Sequence, residues 1–151
     1  MSPDLDMART IAAADHYLAV VATTRRDGSV QASVVNAGVL DHPVSGIPTV
    51  AFVTYGPTKL ANLRVRPRAT VAWRAGWQWV TVEGPVELAG PDDPLAGLDE
   101  ARVAQLLRDV FRAAGGTHDD WDAYDRVMRD ERRTAVLVTP ERIYSNRASP
   151  G

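Results

Sequence analysis

The chain carries a single lysine, Lys59, although positively charged side chains are frequent in it. Of the 17 lysine and arginine residues, all the others are arginine. Lys59 lies in the first turn of a short predicted helix, 57–66, where the positive end of the helix macrodipole disfavours a cation by about 0.3–1 kcal/mol. Free N–H groups at a helix start favour phosphate, and a bound phosphate would turn this penalty into an attraction. The spacing therefore raises the hypothesis of a phosphate site, and a solvated lysine on a surface helix explains the same pattern equally well.

Two neighbours of Lys59 could complete such a site. Thr58 supplies a hydroxyl in the same turn, and Asn62 lies on the helix face that also carries Lys59 and Arg66. Two leucines on the adjacent face would dock the helix on a sheet. This arrangement could hold a phosphate while the helix stays docked.

Polar side chains interrupt an otherwise apolar predicted strand, SVQASVVNAGVL. Successive side chains of a strand alternate between its faces, so Gln31 and Ser33 share one face while Asn36 lies on the other. Such side chains either find partners inside a barrel, which the pattern slightly favours, or line a ligand pocket.

A later predicted strand carries two tryptophans, in the stretch GWQWVTVEG. Trp77 and Trp79 lie on one face, and Val80 and Val82 lie on the opposite one. Tryptophans spaced by two residues can form the floor of a site for an aromatic ligand, and they seal a dimer interface or pack under a helix just as readily. A lone barrel would leave this apolar surface uncovered, so we expect a homodimer.

The composition excludes several classes of site. The chain has no cysteine, which excludes disulfides, thiolate metal sites and cysteine nucleophiles. It has no dinucleotide fingerprint, P-loop or nucleophile elbow, and its three histidines are scattered, so we predict no metal site. The net charge of −2 argues against a general nucleic-acid binder. No apolar run reaches membrane length, so we expect a cytoplasmic protein; the preference for arginine is typical of GC-rich bacterial genomes such as those of actinobacteria.

Turn signals and apolar periodicity predict an order of elements in which strands dominate. The predicted elements are a helix over 5–15, a hairpin around 27–28, a strand over 49–55, the short helix over 57–66, a hairpin around 75–76, helices over 98–111 and 117–128, and closing strands over 134–140 and 142–146. Thr117 and Asp120 fit a capping box at the start of the last helix. Six or seven strands in hairpin order indicate a mainly β protein, an antiparallel barrel with flanking helices, in a single domain over 1–151.

Five segments together resemble one known family. They are ATTRRDGSVQASVV, GPTKLANLRVRPRATVAW, GWQWVTVEG, DDWDAYDRVM and VTPERIY. In this order, over 17–144, they are similar to the pyridoxamine 5′-phosphate oxidase-like split-barrel superfamily. Within it they look most like the B-type deazaflavin-dependent reductases, which use coenzyme F420. The resemblance implies a six-stranded antiparallel split barrel of the FMN-binding type, in a homodimer with a cofactor in each groove between the subunits.

The resemblance also implies which residues face the cofactor. The K-x-x-N-L stretch would lie by the cofactor phosphate, the second hairpin strand along the ring system, and the tryptophan-containing strand in the groove wall. With Thr58 from the helix start, the expected cofactor-binding residues are Gln31, Ser33, Asn36, Thr54, Thr58, Lys59, Asn62, Trp77, Trp79 and Val80. True pyridoxamine phosphate oxidases are longer and end in an Arg-x-His motif. No histidine follows His118 here, so a vitamin B6 oxidase is not expected.

The expected activity is hydride transfer from reduced coenzyme F420 to an unsaturated small organic acceptor. The cofactor carries the difficult chemistry, which fits the absence of an acid–base constellation. The candidates for a proton donor are Tyr55, Tyr144 and water. The alternatives are an FMN-binding split-barrel oxidoreductase with the same phosphate site, a non-catalytic flavin- or haem-binding protein, and a nucleic-acid binder that uses the local arginine cluster.

Overall fold

Eight antiparallel strands and four helices make up residues 2–146, the part of the chain that the computed structural model describes. In chain order they are α1 (Leu5–Ala14), β1 (Leu18–Thr24), β2 (Val30–Asn36), β3 (Gly38–Asp41), β4 (Pro48–Thr54), α2 (Pro57–Val65), β5 (Arg68–Ala75), β6 (Gln78–Ala89), α3 (Glu100–Ala113), α4 (Trp121–Asp130), β7 (Thr134–Val138) and β8 (Arg142–Ser145). The predicted first helix, both hairpins and the short helix α2 are confirmed. None of the helices within 2–146 combines the length and the apolar character needed to span a bilayer.

The strands form one sheet in the order β2-β1-β5-β6-β7-β4-β3, and β8 pairs with β6 beside this path. Strand β6 joins the two halves, because its residues 78–85 pair with β5 and its residues 86–89 pair with β7. Over residues 2–146 the path ends at β2 and at β3, so the sheet is open and has eight strands. The predicted six-stranded split barrel thus differs from the structure in its number of strands and in the open sheet that they form. The coarser prediction, a mainly antiparallel β protein with flanking helices, is confirmed.

The additional strand β3 arises from a break at Ala37 and Gly38. The sequence pattern predicts one continuous strand there. In the structure Ala37 is fully buried and donates its backbone N–H to the carbonyl of Tyr17 at 2.9 Å. A Cβ at Gly38 would lie only 2.1 Å from the carbonyl oxygen of Ala113. The last turn of α3 thus occupies the space that a side chain would need, and the chain starts a new strand in the other half of the sheet.

Two apolar clusters hold the layers together. The first lies between α1 and the inner faces of the strands, and it includes Trp73, whose indole N–H donates to the carbonyl of Ala37 at 3.0 Å. The second lies under α3 and α4, where Leu107 and Met128 pack near the sheet. The residues predicted on one face of α4, among them Tyr124, are part of this second cluster.

The start of α2 differs from the starts of the other helices. Asp4, Asp99 and Asp120 each cap a helix by accepting a backbone N–H, and an acidic residue stands in the first turn of each of these helices. Asp120 is the N-cap of α4, so the predicted capping role of Thr117 is wrong. Helix α2 has Gly56 as its N-cap residue, with no side-chain cap, and it has no acidic residue in its first turn. Its free N–H groups are therefore left for another partner.

Candidate functional site

Lys59 is buried at the start of α2, and none of residues 2–146 pairs with its ammonium group. It is 7% exposed, and within this part of the chain it makes neither an ion pair nor a hydrogen bond. Burial removes water from the ammonium group and lowers the pKa of Lys59 below its ordinary value of 10.5. The burial excludes a solvated surface lysine. A buried and unpaired cation is unfavourable by itself, whereas a bound anion would satisfy both the ammonium and the free N–H groups of α2.

A chain of hydrogen bonds connects α2 to the β1–β2 hairpin. The Asn62 amide donates to the Thr23 hydroxyl at 3.1 Å, and that hydroxyl donates to the side-chain oxygen of Gln31 at 3.2 Å. Asn62 and Thr23 are both buried. The predicted residues Asn62 and Gln31 are therefore brought together. Sequence reasoning missed Thr23, although a threonine at an inward-facing position of an otherwise apolar strand is a signal that could have identified it.

Ser33 follows Gln31 on the same face of β2. Its hydroxyl is buried, and it is one of two side-chain polar atoms within residues 2–146 that are buried without a hydrogen-bond partner. A buried orphan hydroxyl is costly unless something else pairs with it. The unpaired hydroxyl of Ser33 and the unpaired ammonium of Lys59 both fit a polar ligand between α2 and the hairpin. We call the residues Thr23, Gln31, Ser33, Lys59 and Asn62 the anion pocket.

The two predicted threonines flank the start of α2. Thr54 is buried at the end of β4, and its hydroxyl accepts the backbone N–H of Gly56 at 3.2 Å. Thr58 is exposed in the first turn. Thr54 therefore fixes the entry into α2, and Thr58 presents a hydroxyl to solvent beside Lys59.

Asn36 lies apart from the anion pocket, in the wall of a cavity between β2 and β4. This split cavity has a volume of about 470 Å³ and is lined by side chains that include His16, Tyr17, Asn36, Val53, Phe111 and Arg133. The Asn36 amide donates to the carbonyl oxygen of His16 at 2.9 Å. Asn36 therefore lies apart from Gln31 and Ser33. The alternation of side chains along β2 predicts this separation, because Asn36 lies on the opposite face of the strand.

The wall of the split cavity contains two consecutive residues in the left-handed region. His16 has φ 57° and Tyr17 has φ 58°, a conformation that costs non-glycine residues on the order of 1–2 kcal/mol each. Three hydrogen bonds maintain it, since Tyr17 donates to Ala12 and accepts from Ala37 while the carbonyl of His16 accepts from Asn36. The junction between α1 and β1 is therefore held in one defined geometry.

The tryptophan-containing strand is divided between the surface and the core. Trp77 is 93% exposed at the turn before β6, and Trp79 packs edge-on against Tyr144 with ring centroids 6.0 Å apart. Both lie away from the anion pocket and the split cavity within one chain. Val80 is fully buried in the core, so its side chain cannot line a groove.

The predicted arginine cluster does not form one basic patch. Arg64 and Arg68 are each paired with a carboxylate, Asp93 and Glu141 respectively. Arg66 has no acidic partner within 2–146 and donates to a backbone carbonyl at the end of β1 at 2.8 Å. The hypothesis of a nucleic-acid binder depends on a local basic patch, and the pairing of these arginines therefore argues against it.

These features define a mainly antiparallel β protein with an open, split sheet and a group of polar side chains at the start of an uncapped helix. A family model described as pyridoxamine 5′-phosphate oxidase matches residues 7–147. The chain belongs to this family. The family includes oxidoreductases.

Solved structures with similar folds carry names that refer to different cofactors. A haem-binding protein from Mycobacterium smegmatis is 20% identical with a TM-score of 0.62, and the match covers 96% of this chain and 55% of that one. An F420 reductase is 17% identical with a TM-score of 0.53, over 85% and 89% of the two chains. A pyridoxamine 5′-phosphate oxidase-related, FMN-binding protein from Nostoc punctiforme is 13% identical with a TM-score of 0.59, over 96% and 84%. At these identities the likeness shows the fold alone.

Proposed function

We propose that the protein is an oxidoreductase that transfers a hydride between the deazaflavin coenzyme F420 and an unsaturated small organic substrate. The observation that carries the proposal is the buried, unpaired Lys59 at the uncapped start of α2. Lys59 and the free N–H groups of α2 would hold the cofactor phosphate, and Asn62 with Gln31 would line the pocket beside it. When bound in its reduced form, the deazaflavin supplies the hydride. The chain's own residues supply position, charge and exclusion of water.

The distance between the anion-pocket residues and the split cavity supports a long ligand. Gln31 in the anion pocket and Asn36 at the split cavity are five residues apart on β2, about 16 Å at roughly 3.3 Å per residue. They lie on opposite faces of β2, where the strand path of the described residues ends, so a ligand that reaches both would pass around this edge. This span suits a phosphate joined through a ribityl chain to a planar ring system. The ring would then lie near Val53 and Asn36, and the phosphate near Lys59.

A basic surface beyond the anion pocket favours the deazaflavin over FMN. The deazaflavin coenzyme continues past its phosphate into an acidic glutamate tail, whereas FMN ends at its phosphate. Arg66 lies seven residues after Lys59, about 10 Å along the helix axis, and it contacts the end of β1. Arg25 and Arg26 are exposed in the turn that follows. These three arginines could bind an acidic tail, and they have no evident role toward FMN.

Titration of the purified protein separates these cofactors. Quenching of tryptophan fluorescence is expected to show tighter binding of oxidised deazaflavin than of FMN. Arg26→Glu is expected to weaken deazaflavin binding about three- to tenfold at low salt, because it replaces an exposed attraction by a repulsion, and to leave FMN binding unchanged. Arg126→Glu makes the same charge change on the exposed side of α4 and is the control. Tight FMN binding without a response to the deazaflavin would contradict the choice of cofactor.

An FMN-dependent oxidoreductase is the second candidate, because the anion pocket would accept the phosphate of FMN equally well. A protein that only carries a flavin would bind in the same titration but would not transfer its hydride. Reoxidation of bound reduced cofactor by an added unsaturated compound distinguishes the enzyme from the carrier.

We also propose that the chain forms a cytoplasmic homodimer through one face of its sheet. Apolar side chains project outward there from β1, β2, β6 and β8, around a cleft of about 420 Å³. They are Leu18, Val20, Val34, Trp79 and Tyr144. Val20 and Val34 face each other across the β1–β2 ladder, so the patch is continuous. A contiguous apolar patch of this kind is typical of a protein–protein interface.

Light scattering at micromolar concentration is expected to give twice the mass of one chain. Val34 is 63% exposed, and Val34→Lys is expected to produce a folded monomer because it places a charge in the apolar face. Val127→Lys, at an exposed position of α4, is the matched control and should leave the dimer intact. A compact monomer in the wild type would contradict the homodimer.

A further inference from the structure

The split cavity contains few groups that can release a proton near neutral pH. Among the described residues that line it, His16 and Tyr17 carry an imidazole and a phenol, which are side chains that commonly donate a proton in catalysis. Imidazole changes its charge between pH 5 and 8, and a phenol does so near pH 10. His16 is exposed to the cavity and to solvent, so it can also recover a proton after giving one up.

The two tyrosines expected from the sequence are less suitable. Tyr55 does not line the split cavity; its ring lies beneath the guanidinium of Arg133, 4.1 Å from the ring centroid. Tyr144 lies on the outward sheet face and donates its hydroxyl to Glu83 at 3.2 Å. Burial together with the neighbouring Glu83 carboxylate raises the pKa of Tyr144.

The backbone around His16 is arranged to hold that residue in place. His16 and Tyr17 both have left-handed conformations that side chains rarely adopt, and the Asn36 amide fixes the carbonyl of His16. A Cβ at Gly115 would lie 2.5 Å from the Tyr17 ring, so the opposite wall is pressed against this junction. Strained residues that the surroundings maintain so closely are concentrated at functional sites.

The split cavity adjoins the start of α2. Val53 lines the cavity, the next residue Thr54 binds the N–H of Gly56, and Arg133 lies over Tyr55. A ligand whose phosphate lies at Lys59 can therefore extend its ring toward the cavity. An acceptor that stacks on this ring would come within reach of His16.

We propose that His16 is the proton donor to the acceptor, an assignment that rests on the proposed function. Reduction of an unsaturated bond adds a hydride, with its two electrons, to one carbon, and a proton to the atom at the other end of the bond. The imidazolium of His16 gives this proton and becomes neutral imidazole, which regains a proton from solvent. The cofactor is left oxidised by two electrons. Asn36 acts as a positioning residue through the carbonyl of His16.

The charged and titratable groups around His16 set the expected pH dependence. Arg133 lies across the cavity on the segment before β7, and Asp15 and Tyr17 flank His16 in the chain. No charged side chain from the end of α3 lines the cavity within the described residues. Because a general acid gives its proton only from its protonated form, the rate should fall as the pH rises.

The test uses the full-length wild-type protein, oxidised deazaflavin as the ligand and cyclohex-2-enone as the probe acceptor. Saturation with oxidised deazaflavin is expected to shift the imidazole resonances of His16 in NMR spectra and to leave those of His118 unchanged. In single-turnover reoxidation of the bound reduced deazaflavin, His16→Gln is expected to be slower by about 10²- to 10⁴-fold, with Kd for the cofactor unchanged and the high-pH decline lost. Because glycine suits the left-handed backbone, His16→Gly should fold well, and added imidazole should restore part of its rate. His118→Gln is the control.

The outcomes separate the two proposals. Deazaflavin that does not bind, or that binds and is not reoxidised by the probe, contradicts the proposed function and removes the role of His16 with it. A wild-type rate and pH profile in His16→Gln, or His16 resonances that do not respond to bound deazaflavin, contradict the assignment of His16 and leave the proposed function standing.

Discussion

Lys59→Met is expected to weaken binding of the deazaflavin about ten- to a hundredfold while it stabilises the protein without cofactor. The variant removes a charge-assisted contact to phosphate, typically about 1.5–3 kcal/mol, and 1.4 kcal/mol corresponds to a factor of about ten. Methionine keeps most of the buried aliphatic stem, so it should leave little cavity. It also removes a buried cation that has no partner within 2–146 and that stands at the positive end of a helix. Binding isotherms and thermal unfolding of the empty protein measure the two effects, which have opposite signs.

The pH dependence of the same variant gives a further check. Burial lowers the pKa of Lys59 in the folded protein below the unfolded value of about 10.5, so the unfolded chain binds more protons between these two values. The stability of the wild type should therefore rise with pH through this window. The gain in the free energy of unfolding of Lys59→Met over the wild type should be complete below the pKa of Lys59 in the folded protein. It should disappear as the pH approaches the pKa of Lys59 in the unfolded chain. If Lys59→Met binds the cofactor as tightly as the wild type, the anion pocket is not the phosphate site.

Gly38→Ala is expected to destabilise the fold by at least about 3 kcal/mol. The added Cβ would lie 2.1 Å from the carbonyl oxygen of Ala113, so α3 has to move away from the sheet or the β2–β3 junction has to open. Steric overlap with backbone atoms destabilises a protein more than overlap with a side chain, because a side chain can change its rotamer and the backbone cannot. Denaturant unfolding followed by circular dichroism measures the loss.

Gly46→Ala is the matched control for this substitution. Gly46 has φ 75°, and no other group lies within 4 Å of the position that an added methyl group would take. Only the left-handed backbone therefore opposes alanine there, at about 1 kcal/mol. A loss at Gly38 no larger than the loss at Gly46 would show that α3 does not press against the strand break.

Local sequence signals predicted the elements that depend on near neighbours. The hairpin at Asp27-Gly28 forms as expected because Gly28 adopts φ 87° in the turn, a conformation that glycine adopts without strain. Helix α2 begins at Pro57 because proline suits the first helical position. The spacing of Lys59 and Asn62 placed both on this helix, and the family resemblance implies a cofactor phosphate beside it. None of this required knowledge of distant contacts.

The burial of Lys59 and the partners of the other site residues depend on segments far apart in the chain. Asn62 meets Thr23 across 39 residues, and Asn36 meets His16 across 20. The alternation of side chains along β2 correctly placed Asn36 on the face opposite to Gln31 and Ser33. It could not show that Asn36 binds the carbonyl of His16 at the split cavity.

The sequence by itself determined the order of strands and helices, the absence of cysteine chemistry and the position of the one lysine, because these follow from composition, turn chemistry and short-range periodicity. Only the tertiary structure decided that the sheet is open with eight strands, since the break at Gly38 arises from the end of α3, 75 residues later. Only packing decided that Lys59 is buried and that Val80 lies in the core. A residue's local conformation depends mainly on its neighbours in the chain, whereas its exposure and its partners depend on which strands become adjacent and which helix covers them.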